Sequence, residues 1–358
     1  MLEQIVEPLV MWYDKNQRIL PWRGGRDAYN IWISEIMLQQ TRVEAVKPYF
    51  YRFKARLPKI EDLASCPEDR LLKLWEGLGY YNRVRNMQKA AIQVVEKYDG
   101  KLPDDYELLK SLPGIGNYTA GAIASIAYGI PVPAVDGNVL RVITRMTEDD
   151  GDIMKQSVRN RVQAELMKVM PVEDPGTFNQ ALMELGAVIC VPNGIPHCEA
   201  CPIADCCKAK EDGKTENYPV KGKAKARRLE KHTILLIQDG SRIALHKRPS
   251  KGLLAGLYEF PNLGGYMSEK QALEQVKSYG LTPLRIQPLP KAKHIFSHVE
   301  WDMIGYAVQV SELDHPPDEK MLFVEVEQTE KDFPVPKAYA AYAGYVNLRL
   351  GQYPVNNN

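Results

Sequence analysis

The chain has 358 residues, enough for two or three domains with separate cores, and its 46 Lys and Arg against 45 Asp and Glu give a formal net charge of +1. That balance excludes a polycation binding nucleic acid by bulk charge, so any basic surface must be local. No apolar run approaches membrane-spanning length, and five of the six Cys lie between Cys190 and Cys207, which argues for a local metal site in a reducing compartment rather than a disulfide framework.

The N-terminal MLEQIVEPLVMWYDKN alternates charged with apolar residues and lacks a basic segment followed by an unbroken apolar one, so it reads as a soluble helix. Gln17 to Arg26, QRILPWRGGR, gathers Trp22 and several Arg in one irregular loop, which taken alone is a surface loop pinned by its Trp. Ile31 to Arg56 carries apolar residues at 33, 36, 37, 43, 46 and 50, a helical period. Within it, SEIMLQQT sets Glu35 inside a mainly apolar helix, one turn before Gln39 on the same face. That carboxylate is either salt-bridged or solvated, or it is buried with a raised pKa and able to serve as a general acid near neutral pH. This stretch leaves both open. Cys66 is isolated and reads as core. LLKLWEGLGYYNRVRNM, from Leu71 to Met87, predicts a Gly-Leu-Gly-Tyr-Tyr turn between helices that exposes Leu78 and Tyr80, as hinge packing or as a wedge between bases.

Ser111 to Asn138 joins a device for holding phosphate to a candidate catalytic carboxylate. Leu112-Pro113-Gly114-Ile115-Gly116 is a glycine-punctuated turn between two helical segments, a helix-hairpin-helix whose Gly residues let backbone N–H groups reach a ligand. The bland alternative is an ordinary helix-joining turn. The Ala-rich segment from Asn117 to Tyr128 predicts a helix of about 18 Å, and the residues from Gly129 to Val135 span at most roughly 23 Å. Asp136 can therefore return to the start of that helix, near Tyr118, while capping the next helix, where N–H groups and the dipole would favour its ionised form.

Helices are predicted over Val139 to Met146, Gln156 to Met170 and Phe178 to Ile189. The last delivers Cys190-x7-Cys198-x2-Cys201-x5-Cys207, with Cys206 as an alternative fourth member. Four thiolates in one compact loop are a metal signal; zinc is the rival, although its structural sites usually pair their Cys more regularly. Residues 220–231 form a basic linker carrying Lys221, Lys223, Lys225, Arg227, Arg228 and Lys231, solvated or laid along DNA phosphates. Beyond it the period changes: Thr233 to Gln238 and Arg242 to Lys247 flank Asp239-Gly240, a hairpin signal. Ser268 with Gln271 makes a capping box before a helix reaching about Tyr279, and Val299 to Val310 reads as a strand. This region, 232–358, is α+β. Its RPSKGLLAGLYEFP resembles the opening of the Nudix hydrolase fold, but the clustered Arg and Glu of that family's metal box are missing, leaving Glu269 and Glu274 scattered. The fold is therefore expected to serve recognition rather than hydrolysis.

The hairpin LPGIG, Asp136 beyond it and the four-Cys loop together resemble the helix-hairpin-helix DNA glycosylases with an iron–sulfur cluster, over nearly the whole chain. The endonuclease III branch has a Lys two residues after the hairpin's last Gly; here that place is Tyr118, and a phenol cannot form an imine with a sugar. SEIMLQQT, PWR, GLGYY, FNQ and the tripeptide Phe296-Ser297-His298 are similar to motifs of the MutY adenine DNA glycosylases. The resemblance implies a multidomain fold: an all-α glycosylase region over 1–219, with a six-helix part over about 24–130 and a cluster-bearing part from 1–23 and 131–219, then a Nudix-like domain. It implies a monofunctional glycosylase that removes adenine opposite 8-oxoguanine, or guanine, in double-stranded DNA, with Glu35 as general acid and Asp136 stabilising an oxocarbenium-like sugar. Tyr118 and Asn138 would hold sugar and carboxylate. Trp22, Arg23 and Gln180 would surround the adenine, Gln40 and Tyr80 would fill the vacated stack, and Thr41 would contact the DNA. Leu78, Tyr80, Phe296, Ser297 and His298 would meet the oxidised base, and Leu112, Gly114 and Gly116 a phosphate. A [4Fe-4S] cluster on Cys190, Cys198, Cys201 and Cys207 is implied as well. The family's first gap is usually x6, so the extra residue here is expected as a bulge near Asn193-Gly194, and Cys207 keeps the last gap at x5. A monomer in the cytoplasm of a bacterium, beside chromosomal DNA and away from membranes, is expected. The rival readings are an endonuclease III-like glycosylase with AP lyase activity and a non-enzymatic lesion-binding protein.

Overall fold

A computed structural model of the chain describes residues 2–222, 226–313 and 321–351. The chain divides into two compact units, one of Met1–Ser65 with Arg85–Lys223, the other of Cys66–Val84 with Ala224–Asn358. In chain order the first helices are α1 (Val6–Asn16), α2 (Ala28–Leu38), α3 (Val43–Arg56), α4 (Ile60–Ser65), α5 (Glu68–Leu74), α6 (Asn82–Tyr98), α7 (Tyr106–Lys110), α8 (Asn117–Tyr128), α9 (Gly137–Thr147), α10 (Gln156–Met167), α11 (Pro175–Val188) and α12 (Lys208–Glu211). The single helix expected over 31–56 is two. It breaks where Gln40 takes φ 58°, a left-handed conformation that apolar periodicity cannot reveal.

In the first unit, Ile5 at the N-cap of α1 and Leu9 and Tyr13 within it pack with Leu140 and Ile143 of α9 and Phe178 and Leu182 of α11, each buried side chain contributing about 2 kcal/mol by area. The Ala-rich α8 ends at Gly129 (φ 68°), and the chain then runs back along it. At Gly121 a Cβ would lie 2.5 Å from the Pro133 carbonyl oxygen, so only Gly allows this approach. Asn179, fully buried on α11, staples the return: its Oδ1 accepts from the Ala134 N–H at 3.0 Å, and its amide donates to Val132 O and Ser125 Oγ, each at 2.8 Å. The chain thus delivers Asp136 to the N-cap of α9.

The second unit contains β1 (Arg228–Asp239), β2 (Arg242–Lys247), β3 (Tyr258–Glu259), β4 (Asn262–Gly264), α13 (Glu269–Ser278), β5 (Pro283–Ile295), β6 (Val299–Val310), β7 (Met321–Glu325), α14 (Val326–Asp332) and α15 (Ala340–Ala343). Among the described residues the strands form one sheet in the order β3-β2-β1-β6-β5, with β4 also on β1 and β7 on β2. β1 begins inside the stretch expected as linker, and Lys223 and Lys225 of that run lie outside the described residues. The Asp239-Gly240 hairpin forms with Asp239 opposite Arg242. The parallel β1 and β6 are central, and β1 alternates between two cores. Ile234 and Leu236 face Trp301, Tyr339 and Tyr342, while Leu235 and Ile237 face Ala272 and Val276 of α13. β5 carries Pro283, Pro288 and Pro290 and was not legible as a strand. It tolerates them because it is an edge strand with irregular register against β6.

Candidate active site

A cavity of about 820 Å³ opens in the first unit. It is lined by Trp22, Arg23, Glu35, Gln40, Thr41, Tyr118, Asp136, Asn138 and Gln180, which come from the irregular loop, α2 and its end, the starts of α8 and α9, and α11. Glu35 sits on α2, whose N-cap Asp27 accepts from the Tyr29 and Asn30 N–H groups. Its carboxyl is 7 % exposed, and the Tyr118 phenol donates to it. Burial pushes Glu35 up to about 7, opposed by the Tyr118 hydrogen bond and reinforced by the charge of Asp136. Of the two environments left open above, the buried one is observed. Burial and the two carboxylates raise Tyr118 well above the ordinary phenol range.

Asp136 uses both oxygens. Oδ1 accepts from the Val139 N–H at 2.8 Å, and Oδ2 accepts from the Asn138 amide at 2.7 Å. Burial raises its pKa, against the N–H groups and the amide that favour the anion. Asn138 is held in turn by Arg141, whose Nη2 donates to Asn138 Oδ1 at 2.9 Å and to Gly186 O at 2.7 Å, while its Nε donates to Cys190 O at 2.7 Å. Arg141 escaped sequence reading; its only signal was the i,i+3 spacing from Asn138. Glu184 escaped it too. Its fully buried carboxylate accepts from Arg18 at 2.7 and 2.9 Å and from Arg23 at 2.8 Å. Burial pushes Glu184 up, yet the two guanidinium groups outweigh it and hold the carboxyl down to about 2. Arg23 also lies 5.4 Å from the Tyr13 ring, and the Tyr13 phenol donates to Gln180 Oε1 at 3.1 Å. The signal available was Glu184 one turn after Gln180, facing a loop with Arg in excess. No Lys is among the described residues lining the cavity.

The Leu112–Gly116 turn is closed by the Ile115 N–H on Leu112 O at 3.1 Å, with Gly114 at φ 79°, a conformation that favours Gly. Leu112 is 3 % exposed and belongs to the core, so the exposed part of the turn is Gly114 and Gly116. Gly116 caps α8 without a side-chain partner and lines a smaller cavity of about 400 Å³ with Asn117, Tyr118 and Arg159.

Leu78, Tyr80 and Phe296–His298 belong to the second unit. Tyr80 is 49 % exposed, and its phenol hydrogen-bonds Ser297 Oγ at 2.9 Å. The expectation that Leu78 is exposed is corrected: it is 7 % exposed, because the turn directs its apolar side chain inward while its carbonyl accepts from Arg83 at 3.1 Å. Ser297 and His298 are exposed at the β5–β6 turn, closed by the Phe296 N–H on Val299 O at 2.8 Å.

All six Cys are free thiols. Burial pushes Cys201 up to about 12, with the charges of Cys190, Cys207 and Cys198 adding to it, so these four lie within electrostatic reach of one another. Cys206 instead directs its thiol to Gln4 Oε1 at 3.9 Å, so Cys207 fits the group and Cys206 does not. Arg145 donates to Cys190 Sγ at 3.2 Å, and residues 192–194 make a bend with Gly194 at φ 76°. Among the described residues no three His, Cys, Asp or Glu side chains are set to hold a single metal ion. In a four-iron cluster each thiolate binds its own iron, so convergence on one point is not required.

Residues 33–169 match the family model of the HhH-GPD superfamily base excision DNA repair proteins, and residues 232–343 match the NUDIX domain model. The adenine DNA glycosylase of Mus musculus is 35 % identical over 86 % of this chain and 70 % of its own length. That of Buchnera aphidicola subsp. Acyrthosiphon pisum is 35 % identical over 83 % of this chain and 85 % of its own. Among solved structures, a thermostable thymine-DNA glycosylase matches with TM-score 0.53 and 28 % identity, over 59 % of this chain and 97 % of that one. A trapped endonuclease III–DNA covalent intermediate matches with TM-score 0.51 and 26 % identity, over 60 % and 98 %.

Proposed function

The chain belongs to the adenine DNA glycosylases, enzymes of base excision repair, and from that premise we propose that it hydrolyses the N-glycosidic bond of adenine opposite 8-oxoguanine in duplex DNA without cutting the strand. The observation that carries this reading is Glu35, a buried carboxyl with a pKa raised to about 7, sharing one cavity with Asp136.

In the proposed reaction the adenine leaves the stack, at a cost of a few kcal/mol, and enters the cavity near Trp22, Arg23 and Gln180. Glu35 delivers its proton to a ring nitrogen of the base, which then departs as a neutral leaving group. Asp136, whose anion the Val139 N–H and the Asn138 amide favour, stabilises the cationic sugar until water adds, and the proton that water gives up restores Glu35. Two carboxylates thus divide the work as acid and anion: burial raises both, and the donors on Asp136 oppose that rise and favour its anion. Tyr118 holds the Glu35 carboxyl in place, and Glu184 fixes Arg18 and Arg23 beside the base. Gln40 fills the vacated stack with Thr41 beside it on the DNA, N–H groups of the Leu112–Gly116 turn bind a flanking phosphate, and Tyr80, as a second wedge, reads the opposite base with Phe296, Ser297 and His298. Cys190, Cys198, Cys201 and Cys207 would hold a [4Fe-4S] cluster, which when bound cross-links the loop ahead of Lys208 and Lys210. We place it as a monomer in a bacterial cytoplasm, with the chromosomal DNA that carries its substrate. That no Lys is among the described residues lining the cavity weighs against the lyase reading.

The test is product analysis with an adenine:8-oxoguanine duplex. Free adenine should be released and the strand should stay intact until alkali is added. Strand scission before alkali, with an imine trappable by borohydride, would overturn the monofunctional assignment; no adenine release would overturn the reaction.

A further inference from the structure

Residues 66–84 fold as part of the second unit, and three anchors hold them there. At the start of α5, Asp69 accepts from Lys247 Nζ at 2.7 and 2.8 Å and from the Tyr258 phenol at 3.2 Å. At its end, Lys73 and Glu76, 4 % and 2 % exposed, form an ion pair at 2.8 Å. Lys73 Nζ also donates to Thr329 O at 3.1 Å and Phe333 O at 3.0 Å, at the end of α14. Glu76 Oε1 accepts from the Val335 N–H at 2.9 Å, and the Gly351 N–H favours the same carboxylate. The third anchor is the Tyr80 phenol on Ser297.

Burying two opposite charges is a poor route to stability, since an apolar pair of similar volume usually does as well. What the pair gives is direction: both ends are tied to backbone groups at fixed places on one segment, 329–351. Only Gly77, Leu78 and Gly79 separate Glu76 from Tyr80, and that turn is rigid. The Trp75 indole donates to Gly79 O at 3.0 Å, Arg83 donates to Leu78 O at 3.1 Å and Gly79 O at 3.3 Å, and the Arg83 guanidinium lies over the Trp75 and Tyr80 rings at 5.3 and 5.6 Å. The position of Tyr80 is therefore set by the clasp.

We infer that Lys73 and Glu76 are positioning residues for opposite-base discrimination: their buried clasp holds the Tyr80 phenol against Ser297, so that the wedge turn and the β5–β6 loop meet the base opposite the adenine as one surface. This rests on the assignment of adenine excision opposite 8-oxoguanine.

Single-turnover excision by the full chain should be measured on adenine:8-oxoguanine and adenine:guanine duplexes, alongside thermal unfolding. Glu76→Gln keeps the shape of the side chain but removes the charge that pairs with Lys73 Nζ. Its rate on the 8-oxoguanine duplex should fall by about tenfold or more while the rate on the guanine duplex stays within about threefold, so the preference collapses. If Glu76→Gln fails to fold, the apolar pair Lys73→Met with Glu76→Met, matched in volume, should give the same loss of preference. Equal losses on both duplexes, or an unchanged ratio in a folded variant, would overturn the inference. A wild-type protein with no preference between the duplexes would overturn the underlying opposite-base assignment instead.

Discussion

Burial outweighs the hydrogen bond that Tyr118 donates to Glu35 and raises its carboxyl to about 7, so that a large share keeps its proton at neutral pH. The sign of that bond yields a test. A phenol donating to a carboxylate favours the ionised form, so Tyr118→Phe should raise the Glu35 pKa. The excision rate, which needs the protonated acid, should then lose activity at a pH higher by about one unit than in the wild type. The check is a single-turnover pH profile of both proteins. An alkaline limb that moves downward or stays in place would show that Tyr118 does not tune this carboxyl. Glu35 could be singled out in the sequence because a lone acid in an apolar helical stretch has few explanations. Glu184 and Arg141 could not, since their partners lie far away in the chain: Arg18 and Arg23 for one, Cys190 O and Gly186 O for the other.

Among the elements, the start of α9 separates structure from chemistry. Asp136 is at once its N-cap and the proposed anion, and Asn caps a helix about as well as Asp. Asp136→Asn should therefore keep stability within about 1 kcal/mol of wild type while excision falls by about 100-fold or more, as for loss of a single electrostatic stabiliser. Thermal unfolding and single-turnover kinetics on the same preparation check both halves; a large stability loss with excision preserved would reverse the roles. Where local chemistry decides an element, the sequence shows it. The α8 period with Gly129 after it, the Asp239-Gly240 turn and the Ser268/Gln271 capping box all formed as expected. The break at Gln40 and the Pro-bearing β5 did not show, because a left-handed residue and an edge position are set by tertiary surroundings rather than by residue type.

At the scale of the whole molecule, the change from helical to alternating period near residue 232 was legible, and the family models match on either side of it. The membership of residues 66–84 was not. Nothing in LLKLWEGLGYY distinguishes a helix pair packed on its sequence neighbours from one packed on a sheet much later in the chain; that is decided by Lys73 and Glu76 finding Thr329, Phe333 and Val335. Charge behaves similarly. A net of +1 says nothing of the Arg18, Arg23 and Glu184 cluster that lines the cavity, where two guanidinium groups share one carboxylate.

The central claim is that a buried, protonated Glu35 drives base loss in a cavity that also holds Asp136. It is tested most directly by measuring duplex affinity and single-turnover adenine release together for wild type and Glu35→Gln on an adenine:8-oxoguanine duplex. Glu35→Gln should bind the duplex within about threefold of wild type and release adenine at least about 100-fold more slowly, the contribution of a positioned general acid. Near-wild-type release by Glu35→Gln would contradict it.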